Sequence, residues 1–287
     1  MKTGSINTDI GVFHADELNA LDAFFREHGF AILRGLYQPA DLERLTNECV
    51  DAQTGVIEGK LDPRHGNSVL LDDAVNGEKR FANYVQYITE VSPATRAAIL
   101  HPAITALMEK WVPGGHLREH SRFGAVYQDA RGGSNSGYRR IGWHSDWQSG
   151  PHMDCWPSVA FTIHIDATSP ENGFLRVVPG SHKWATPAPF RNANHVPVPA
   201  QSKPVGGHTS EPPPYDMPLA FEKAPGEIAV YCEAGDVLFH DAYLWHSAAV
   251  ATNDRAVRRH VRGGWFTGLP DGRNDDFVED FVKNAAR

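Results

Sequence analysis

Apolar side chains in the first part of the chain recur at helical spacing. Within residues 15–28 they fall every three or four positions, at Leu18, Leu21, Phe24 and Phe25. This spacing predicts an amphipathic helix that ends before Gly29. The same reasoning predicts helices over residues 39–49 and 93–112, whereas residues 52–80 show no clear period and are expected to be mostly loop. The first 115 residues or so are therefore expected to be mainly helical.

After this helical part the pattern changes to short apolar runs separated by Gly, Pro, Asn and Asp. The strands predicted there are residues 122–127, 159–165, 173–179, 228–231, 236–240 and 257–266, and one earlier strand, residues 30–36, lies between the first two helices. Many short strands with turn signals are typical of a β-sandwich or barrel, and the double-sheet jelly roll is one such architecture. With helices on one side of the strands, the chain is expected to form a single α+β domain over residues 1–287.

Residues 185–218 stand apart because they are rich in proline, including the run Pro212–Pro213–Pro214. Proline fits neither a helix interior nor a central strand, so this segment is expected to be a long insert in the jelly-roll part, which spans about residues 116–270. Long loops in compact domains are often functional. The insert is either an excursion over the surface or a lid over a substrate.

Charge and cysteine content narrow the classes of partner. The net charge of -8 argues against a nucleic-acid partner, which favours a basic surface. No apolar run approaches the roughly 20 residues that span a bilayer, and the first nine residues do not form a secretory signal. The three cysteines form no Cys-X-X-Cys pair, which is typical of a reducing compartment. We therefore expect a cytoplasmic protein that acts on a small molecule; the sequence does not indicate the oligomeric state.

The candidate chemistry centres on His144, Asp146 and a distant histidine, His246. His144 and Asp146 are separated by one residue, so on a β-strand their side chains would share a face. Together with His246 they would form a 2-His-1-carboxylate triad, whose open coordination positions are the usual mark of non-haem Fe(II) oxygenases. A His-X-Asp motif alone is a weak signal, and its interpretation depends on the rest of the chain.

Three further motifs follow in order. Residues 172–182 read Asn-Gly-Phe-Leu-Arg-Val-Val-Pro-Gly-Ser-His, residues 235–240 read Gly-Asp-Val-Leu-Phe-His, and a basic run covers residues 257–262. With the His-X-Asp motif and the opening Gly29–Leu33, this order resembles the phytanoyl-CoA dioxygenase family of Fe(II)- and 2-oxoglutarate-dependent oxygenases. The resemblance covers roughly residues 15–270.

The resemblance implies a fold, a cofactor set and a site. The fold is a double-stranded β-helix (jelly roll, cupin-like) core with N-terminal helices packed on one side. The site would hold Fe(II) through His144, Asp146 and His246, which are therefore also the catalytic residues, with 2-oxoglutarate and O2 as co-substrates. His240 is the main rival for the second histidine ligand, and we expect it instead at a strand end or beside the ligands.

A dicarboxylic co-substrate needs a cation for its distal carboxylate, and a guanidinium can bind one bidentately. Arg258 matches the family's arginine, and strand alternation would place it on one face with His260 and Arg262. A one-residue shift in register would assign the role to Arg259, and Arg255 also remains open.

Ser247 and Thr162 are weaker candidates for hydrogen bonds to the co-substrate. Family members commonly carry a tryptophan where Thr162 aligns, so this contact departs from the family pattern. Trp143, Trp147, Trp156, Phe123 and Tyr127 either line a substrate pocket or belong to the core. His116, His120, His152 and His164 are expected to be polar residues with satisfied hydrogen bonds.

The resemblance also bears on the reaction. Related halogenases lack the carboxylate ligand, so the presence of Asp146 predicts hydroxylation or another oxidation. Two other classes stay open: a non-redox jelly-roll metalloprotein, such as an isomerase or hydrolase with Zn or Mn, and a vestigial binding or sensing protein. Neither needs a cation for a dicarboxylic acid, so the arginine of residues 257–262 separates them from the oxygenase.

Overall fold

The computed structural model describes residues 9–66, 71–73, 80–82, 84–117, 125–128, 142–149, 157–187, 205–217, 222–249, 251–253 and 256–266. Within these residues the α-helices are α1 (Leu18–His28), α2 (Pro39–Ile57), α3 (Pro93–Ile99) and α4 (Pro102–Trp111). None of the described helices is long and apolar enough to cross a membrane.

The strands are short and mostly lie in the second half of the chain. Those before residue 130 are β1 (Val12–Phe13), β2 (Phe30–Leu33), β3 (Leu71–Asp73), β4 (Arg80–Ala82), β5 (Tyr84–Val85), β6 (His116–Leu117) and β7 (Ala125–Gln128). Those after it are β8 (Pro157–His164), β9 (Leu175–Val177), β10 (Thr186–Pro187), β11 (Val205–Gly206), β12 (Ile228–Val230), β13 (Val237–Asp241), β14 (His246–Ala248) and β15 (Arg259–Phe266).

Two sheets carry the site. The larger has the order β1-β2-β13-β8-β15-β7-β5, with β6 also paired to β15, and the smaller has the order β12-β9-β14. In the larger sheet β8 lies between β13 and β15 and is antiparallel to both. The two longest strands, β8 and β15, are thus neighbours in the interior of the sheet.

The four helices cover one face of the larger sheet. Leu21 and Phe25 of α1, Leu45 and Cys49 of α2, and Ile104 and Met108 of α4 belong to one buried cluster with the strand residues Leu33, Phe161, Ile163, Phe239 and Val261. Burial of a large apolar side chain of this kind contributes about 1.5–3 kcal/mol. The predicted α+β class, with helices packed on one side, is confirmed.

A second apolar cluster joins the opposite face of the larger sheet to the smaller sheet. Ile32 and Leu238 of the larger sheet share this cluster with Val177 and Val230 of the smaller sheet. Residues that alternate with the helix-facing ones therefore point into the space between the two sheets. That space holds the candidate site.

The third predicted helix is broken in two. A single helix over residues 93–112 was expected, but α3 ends at Ile99 and α4 begins at Pro102. Proline has no backbone N–H and disfavours helical geometry in the residue before it. His101 accordingly takes an extended ψ of 132°, and its Nδ1 accepts a hydrogen bond from the backbone N–H of Ala103 (3.2 Å).

Two other expectations differ from the structure in the N-terminal part. Residues 52–80 are less irregular than predicted, because α2 runs on to Ile57 and β3 pairs with β4. The division into helices before residue 115 and strands after it is also not strict. Strands β1, β2 and β5 all belong to the larger sheet, so this sheet takes its strands from both parts of the chain.

Candidate metal centre

His144 and His246 face each other across an antiparallel β-bridge. The backbone N–H of His144 donates to the carbonyl of His246 (3.0 Å), and the N–H of His246 donates back to the carbonyl of His144 (2.9 Å). A pair that exchanges both hydrogen bonds places its side chains on the same face. The ring centroids of the two imidazoles are 4.2 Å apart, so residues that are far apart in sequence become neighbours in the site.

The carboxylate of Asp146 completes the group. Its Oδ1 lies 3.7 Å from Nε2 of His246 and 3.9 Å from Nε2 of His144. Each of the three side chains offers one ligand atom, and these atoms all lie within 4.8 Å of one another. The structure thus brings together the three residues predicted to bind iron. The route differs from the expected strand, because Asp146 begins a 3-10 turn over Asp146–Ser149.

Hydrogen bonds to the backbone orient both imidazoles. Nδ1 of His144 donates to the carbonyl of Gly142 (2.8 Å), and Nδ1 of His246 donates to the carbonyl of Leu244 (2.9 Å). With Nδ1 protonated, the lone pair of each ring is on Nε2, which faces Asp146. Burial lowers the pKa of His144. Burial also lowers the pKa of His246 well below its ordinary value, and the neighbouring His144 and His240 lower it further. Two neutral imidazoles and a carboxylate are a donor set that fits Fe(II).

Two side chains hold the Asp146 carboxylate. Nη2 of Arg262 donates to Oδ1 (3.0 Å) and Oδ2 (2.9 Å), and Nε2 of His240 donates to Oδ2 (3.1 Å). Burial alone would raise the pKa of Asp146, but the charge of Arg262 and the hydrogen bond from His240 keep it well below the usual range. The sequence indicated that His240 would lie beside the ligands. It did not indicate the contact of Arg262, because that contact joins residues more than a hundred positions apart.

The residues that precede His144 and His246 share a third apolar cluster. Trp143 and Trp245 are buried there with Val178 and Ala224. The backbone N–H of Trp245 donates to Oγ of Ser181 (2.9 Å), so the Pro179–His182 turn braces the segment that carries His246. This turn therefore has a structural role, and Trp143 belongs to the core.

The inner face of the larger sheet carries the other predicted site residues. Thr162 of β8 lies opposite Arg262 of β15, and His164 lies opposite His260. Arg258 is buried just before β15 begins. Along β8 and β15 these residues alternate with residues that face the helices, such as Val261. This agrees with the prediction that His260 and Arg262 share one face of the strand.

The neighbouring arginine has a different partner. Arg259 makes a two-point ion pair with Asp166, from Nε to Oδ2 and from Nη2 to Oδ1, both at 2.8 Å. Arg255 lies outside the described residues. The role of Arg258 as the co-substrate's cation stays a prediction, but Arg259 is already engaged by a carboxylate of its own chain.

The positions of Ser247 and His164 differ from what their predicted roles would require. Ser247 pairs with Arg176 in the register of β14 and β9, whereas His246 pairs with Val177 of the apolar interior. Successive strand residues point to opposite faces, so the geometry gives no support to a contact of Ser247 with the co-substrate. His164 was expected to have satisfied hydrogen bonds, but neither of its ring nitrogens has a hydrogen-bond partner among the described residues.

Part of the proline-rich insert lies against the site. Strands β10 and β11 pair with each other, and an added Cβ at Gly206 would lie within 2.4 Å of the Trp147 ring. Nε2 of His208 also contacts Oδ2 of Asp241 (2.8 Å). Trp147 directly follows Asp146, so the insert packs on a neighbour of a candidate ligand; whether it is a lid stays a prediction.

Several of the weaker candidates lie outside the described residues. These are Trp156, Phe123, His120 and His152. His116 and Tyr127 lie on β6 and β7. Trp147 is buried, with its ring 5.8 Å from that of Tyr243.

Comparison with known proteins finds one relative by sequence and several by fold. The chain is 23% identical over 245 residues to the ectoine dioxygenase of Nocardia farcinica (strain IFM 10152), covering 83% of this chain and 73% of the relative. The crystal structure of the epimerase SnoN, with Fe3+, α-ketoglutarate and nogalamycin RO, superimposes with a TM-score of 0.57 at 17% identity, covering 92% of this chain and 90% of SnoN. The α-ketoglutarate-dependent carbocyclase SnoK superimposes with a TM-score of 0.56 at 17% identity, covering 96% of this chain and 94% of SnoK.

The sequence model of the phytanoyl-CoA dioxygenase family matches residues 25–261. This match includes His144, Asp146, His246 and the arginines that precede and begin β15. It spans both sheets and most of the helical layer, so it extends far beyond the metal-binding residues. The chain therefore belongs to the phytanoyl-CoA dioxygenase family, whose enzymes use iron and 2-oxoglutarate.

Proposed function

We propose that the protein is an Fe(II)- and 2-oxoglutarate-dependent dioxygenase that hydroxylates a small organic molecule while 2-oxoglutarate is decarboxylated to succinate. The observation that carries this proposal is the convergence of His144, Asp146 and His246, whose ligand atoms all lie within 4.8 Å of one another. Three protein ligands leave room for a bidentate 2-oxo acid and O2. When bound, the iron would supply the activation of O2, and the protein supplies orientation and a shielded site.

The side chains around the triad set its geometry and charge. The two Nδ1–H groups are tied to backbone carbonyls, so each histidine presents Nε2 without rotating its ring. Arg262 and His240 hold both oxygens of Asp146. The protein thus has the ligands in place before the metal arrives, which reduces the reorganisation needed on binding.

Arg258 would bind the distal carboxylate of 2-oxoglutarate. It is buried beside the inner face of the larger sheet, where a guanidinium and a carboxylate make strong, directional hydrogen bonds. Thr162 lies on the same face and is the second candidate contact. The competing arginine, Arg259, is bound to Asp166.

The presence of Asp146 favours hydroxylation over halogenation. Related halogenases lack this carboxylate, and chloride binds the metal in its place. The similarity to SnoN and SnoK supports two competing outcomes, because these proteins are described as an epimerase and a carbocyclase. The mass of the product separates the outcomes. Hydroxylation adds one oxygen atom, ring closure removes two hydrogen atoms, and epimerisation leaves the mass unchanged.

The substrate is proposed to be a free small molecule. Apart from the basic run of residues 257–262, which is assigned to the co-substrate, the sequence has no strong cluster of basic residues of the kind that would bind the phosphates of a CoA ester. A cytoplasmic location is proposed on the cysteine pattern. Screening of small molecules against CoA esters, with succinate release as the signal, tests the first point.

The deciding experiment is anaerobic reconstitution with Fe(II), followed by titration with 2-oxoglutarate. We expect a weak visible charge-transfer band, lost in His144→Ala, Asp146→Ala and His246→Ala. Arg258→Gln should retain the band but require more 2-oxoglutarate. Folded, iron-loaded protein without a band would overturn the co-substrate assignment and favour a non-redox metalloprotein. A band without succinate release on exposure to O2 would favour a vestigial binding protein.

A further inference from the structure

His164 is a buried histidine whose role is not explained by the metal centre. It ends β8, and only 5% of its surface is exposed. In register it lies opposite His260 on β15, and the two ring centroids are 5.9 Å apart. The residues before it on β8 alternate, with Phe161 and Ile163 facing the helices. His164 and Thr162 therefore face the space between the sheets, on the same face as Arg262.

The hydrogen-bonding capacity of His164 is not used within the described part of the chain. Neither Nδ1 nor Nε2 has a hydrogen-bond partner there. Burial lowers the pKa of His164 to about 4, so near neutral pH the ring is uncharged and carries one N–H to donate. A buried polar group without a partner destabilises the fold. A ligand that supplies the missing partner would explain why such a group is present.

Two arginines act on this histidine pair. Burial, followed by the charge of Arg258, holds the pKa of His260 well below its ordinary value, and Arg262, which is bound to Asp146, adds to this effect. Among the described residues, the carboxylate that acts on His164 is that of Asp166, which is bound to Arg259 at two points. The positive charge of Arg258 favours a negatively charged acceptor for the N–H of His164, and the inner face places that acceptor beside the residues that reach Asp146.

We propose that His164 and His260, together with Arg258, form the subsite for the distal carboxylate of the dicarboxylic 2-oxo acid, with His164 donating an N–H to that carboxylate. This inference rests on the proposed function and deepens it. A neutral N–H adds a hydrogen bond to a carboxylate without adding another buried charge that would have to be compensated. The pair would thereby select a co-substrate that ends in a carboxylate over one that ends in a methyl group.

The test compares two ligands by calorimetry under anaerobic conditions, with the Fe(II)-loaded protein. The first is 2-oxoglutarate. The second is 2-oxopentanoate, which has the same 2-oxo acid head and chain length but ends in a methyl group. For His164→Phe we expect affinity for 2-oxoglutarate to fall about tenfold or more, the effect of losing a hydrogen bond to a charged group. Affinity for 2-oxopentanoate and for Fe(II) should stay unchanged.

A matched control is His182→Phe. His182 is also buried and also has a ring nitrogen without a partner among the described residues, but it lies beside α1. This variant should bind both ligands as the wild type does. Equal affinity of His164→Phe and wild type for 2-oxoglutarate, or an equal loss for both ligands, would overturn the subsite. Failure of the wild type to bind 2-oxoglutarate at all would instead overturn the proposed function.

The wild-type protein provides a second measurement if His164→Phe does not fold. With Zn(II) in place of Fe(II), the imidazole nitrogen resonances of His164 should shift when 2-oxoglutarate is added. They should not shift in the same way with 2-oxopentanoate. The same response to both ligands would contradict a contact with the distal carboxylate.

Discussion

The Asp146 carboxylate accepts hydrogen bonds from two side chains on two different strands. Nη2 of Arg262 donates to both oxygens, and Nε2 of His240 donates to Oδ2 alone at 3.1 Å. These two contacts have different expected effects on a metal ion. The guanidinium contacts both oxygens and competes with the metal for them, whereas a single hydrogen bond to Oδ2 orients the carboxylate and leaves Oδ1, which faces the two histidines, open to the metal. His240 is therefore the better residue with which to test how Asp146 is oriented.

Replacing His240 by Phe should lower the Fe(II) affinity about 10–100-fold, which is the usual effect of removing a residue that orients a metal ligand. His240→Gln keeps a donor and should retain most of the affinity. A competition titration with a coloured chelator measures both. Wild-type affinity in His240→Phe would show that Arg262 alone orients Asp146.

Adjacent arginines should give opposite results when each is changed to Gln. Arg258→Gln should raise the concentration of 2-oxoglutarate needed for half-saturation. Arg259→Gln removes the half-buried ion pair with Asp166 and should cost about 1 kcal/mol in the free energy of unfolding.

The measurements for this pair are anaerobic co-substrate titration and urea unfolding. Arg259→Gln should bind 2-oxoglutarate as the wild type does. If Arg259→Gln no longer binds 2-oxoglutarate while Arg258→Gln still does, the assignment of Arg258 is wrong by one residue and Arg259 binds the distal carboxylate.

At the residue scale, sequence reasoning predicted the triad but not the way it is assembled. His144 and Asp146 were expected to share a strand face, whereas Asp146 lies in a 3-10 turn and His144 in a single β-bridge to His246. The contacts of Arg262 and His164 depend on the register between β8 and β15. No local pattern encodes that register.

Among the elements, β15 is closely packed at Gly263. Gly263 lies opposite Phe161 on the helix-facing side of the sheet, and an added Cβ would lie 2.3 Å from the Phe161 ring. Gly263→Ala should therefore destabilise the fold by about 1–3 kcal/mol, the usual cost of overpacking a core. Urea unfolding of the apoprotein measures this.

A double variant provides the control for the Gly263 prediction. Phe161→Leu creates space at the same point, so Gly263→Ala should cost less in that background than in the wild type. Equal costs in both backgrounds would mean that Phe161 is not the group with which the added methyl collides.

The insert gives a pH-dependent prediction at the same scale. The Asp241 carboxylate raises the pKa of His208, while His182 and Tyr243 also lie beside the ring. Because the pKa of His208 is raised in the folded protein, its contact with Asp241 contributes its full stability below the ordinary pKa of 6.5. This contribution is lost as the pH rises through the raised pKa.

The backbone amides of His208 and Thr209 report this contact, because they donate to the carbonyls of His182 and Lys183. Their protection against hydrogen exchange, corrected for the intrinsic rate, should decrease above pH 6.5. His208→Gln does not titrate there and should show a flat profile. A decrease of the same size in that variant would rule out the histidine as the cause.

Element prediction succeeded where the pattern was local and long. Helix α1 and strands β8 and β13 follow the expected positions within a few residues. The break before Pro102 could have been predicted, because a residue before proline disfavours helical geometry. The single helix was predicted instead because the apolar stripe over residues 93–112 is continuous. Strands of two or three residues, such as β1 and β14, are defined by their partners and not by a repeating pattern of their own.

For the molecule as a whole, the bridge between His144 and His246 joins segments about a hundred residues apart in sequence. A ligand that binds the native but not the unfolded chain stabilises the native state by mass action, by about 2.7 kcal/mol at a concentration one hundred times its Kd. Fe(II) under anaerobic conditions should therefore raise the Tm of the wild type by several degrees. His246→Ala should show no such rise, and an equal rise in that variant would place the metal elsewhere.

The overall architecture could be predicted because each layer has its own pattern. The helical stripe of α1 and the apolar runs of β8 and β13 each indicate one buried face, and burial of both requires helices on a sheet. The assignment of β2 to the larger sheet could not be read in the same way. Its pairing with β13 joins residues more than two hundred positions apart.

The cluster that buries Trp143 and Trp245 has a practical consequence. Each indole belongs to the residue directly before a histidine ligand, and both rings are almost fully shielded from water. A redox-active metal quenches the emission of indoles at such short range, whereas Zn(II) does not. Filling of the site should therefore appear as a loss of intrinsic fluorescence in unlabelled protein. Trp143→Phe and Trp245→Phe would show which side of the bridge provides the signal.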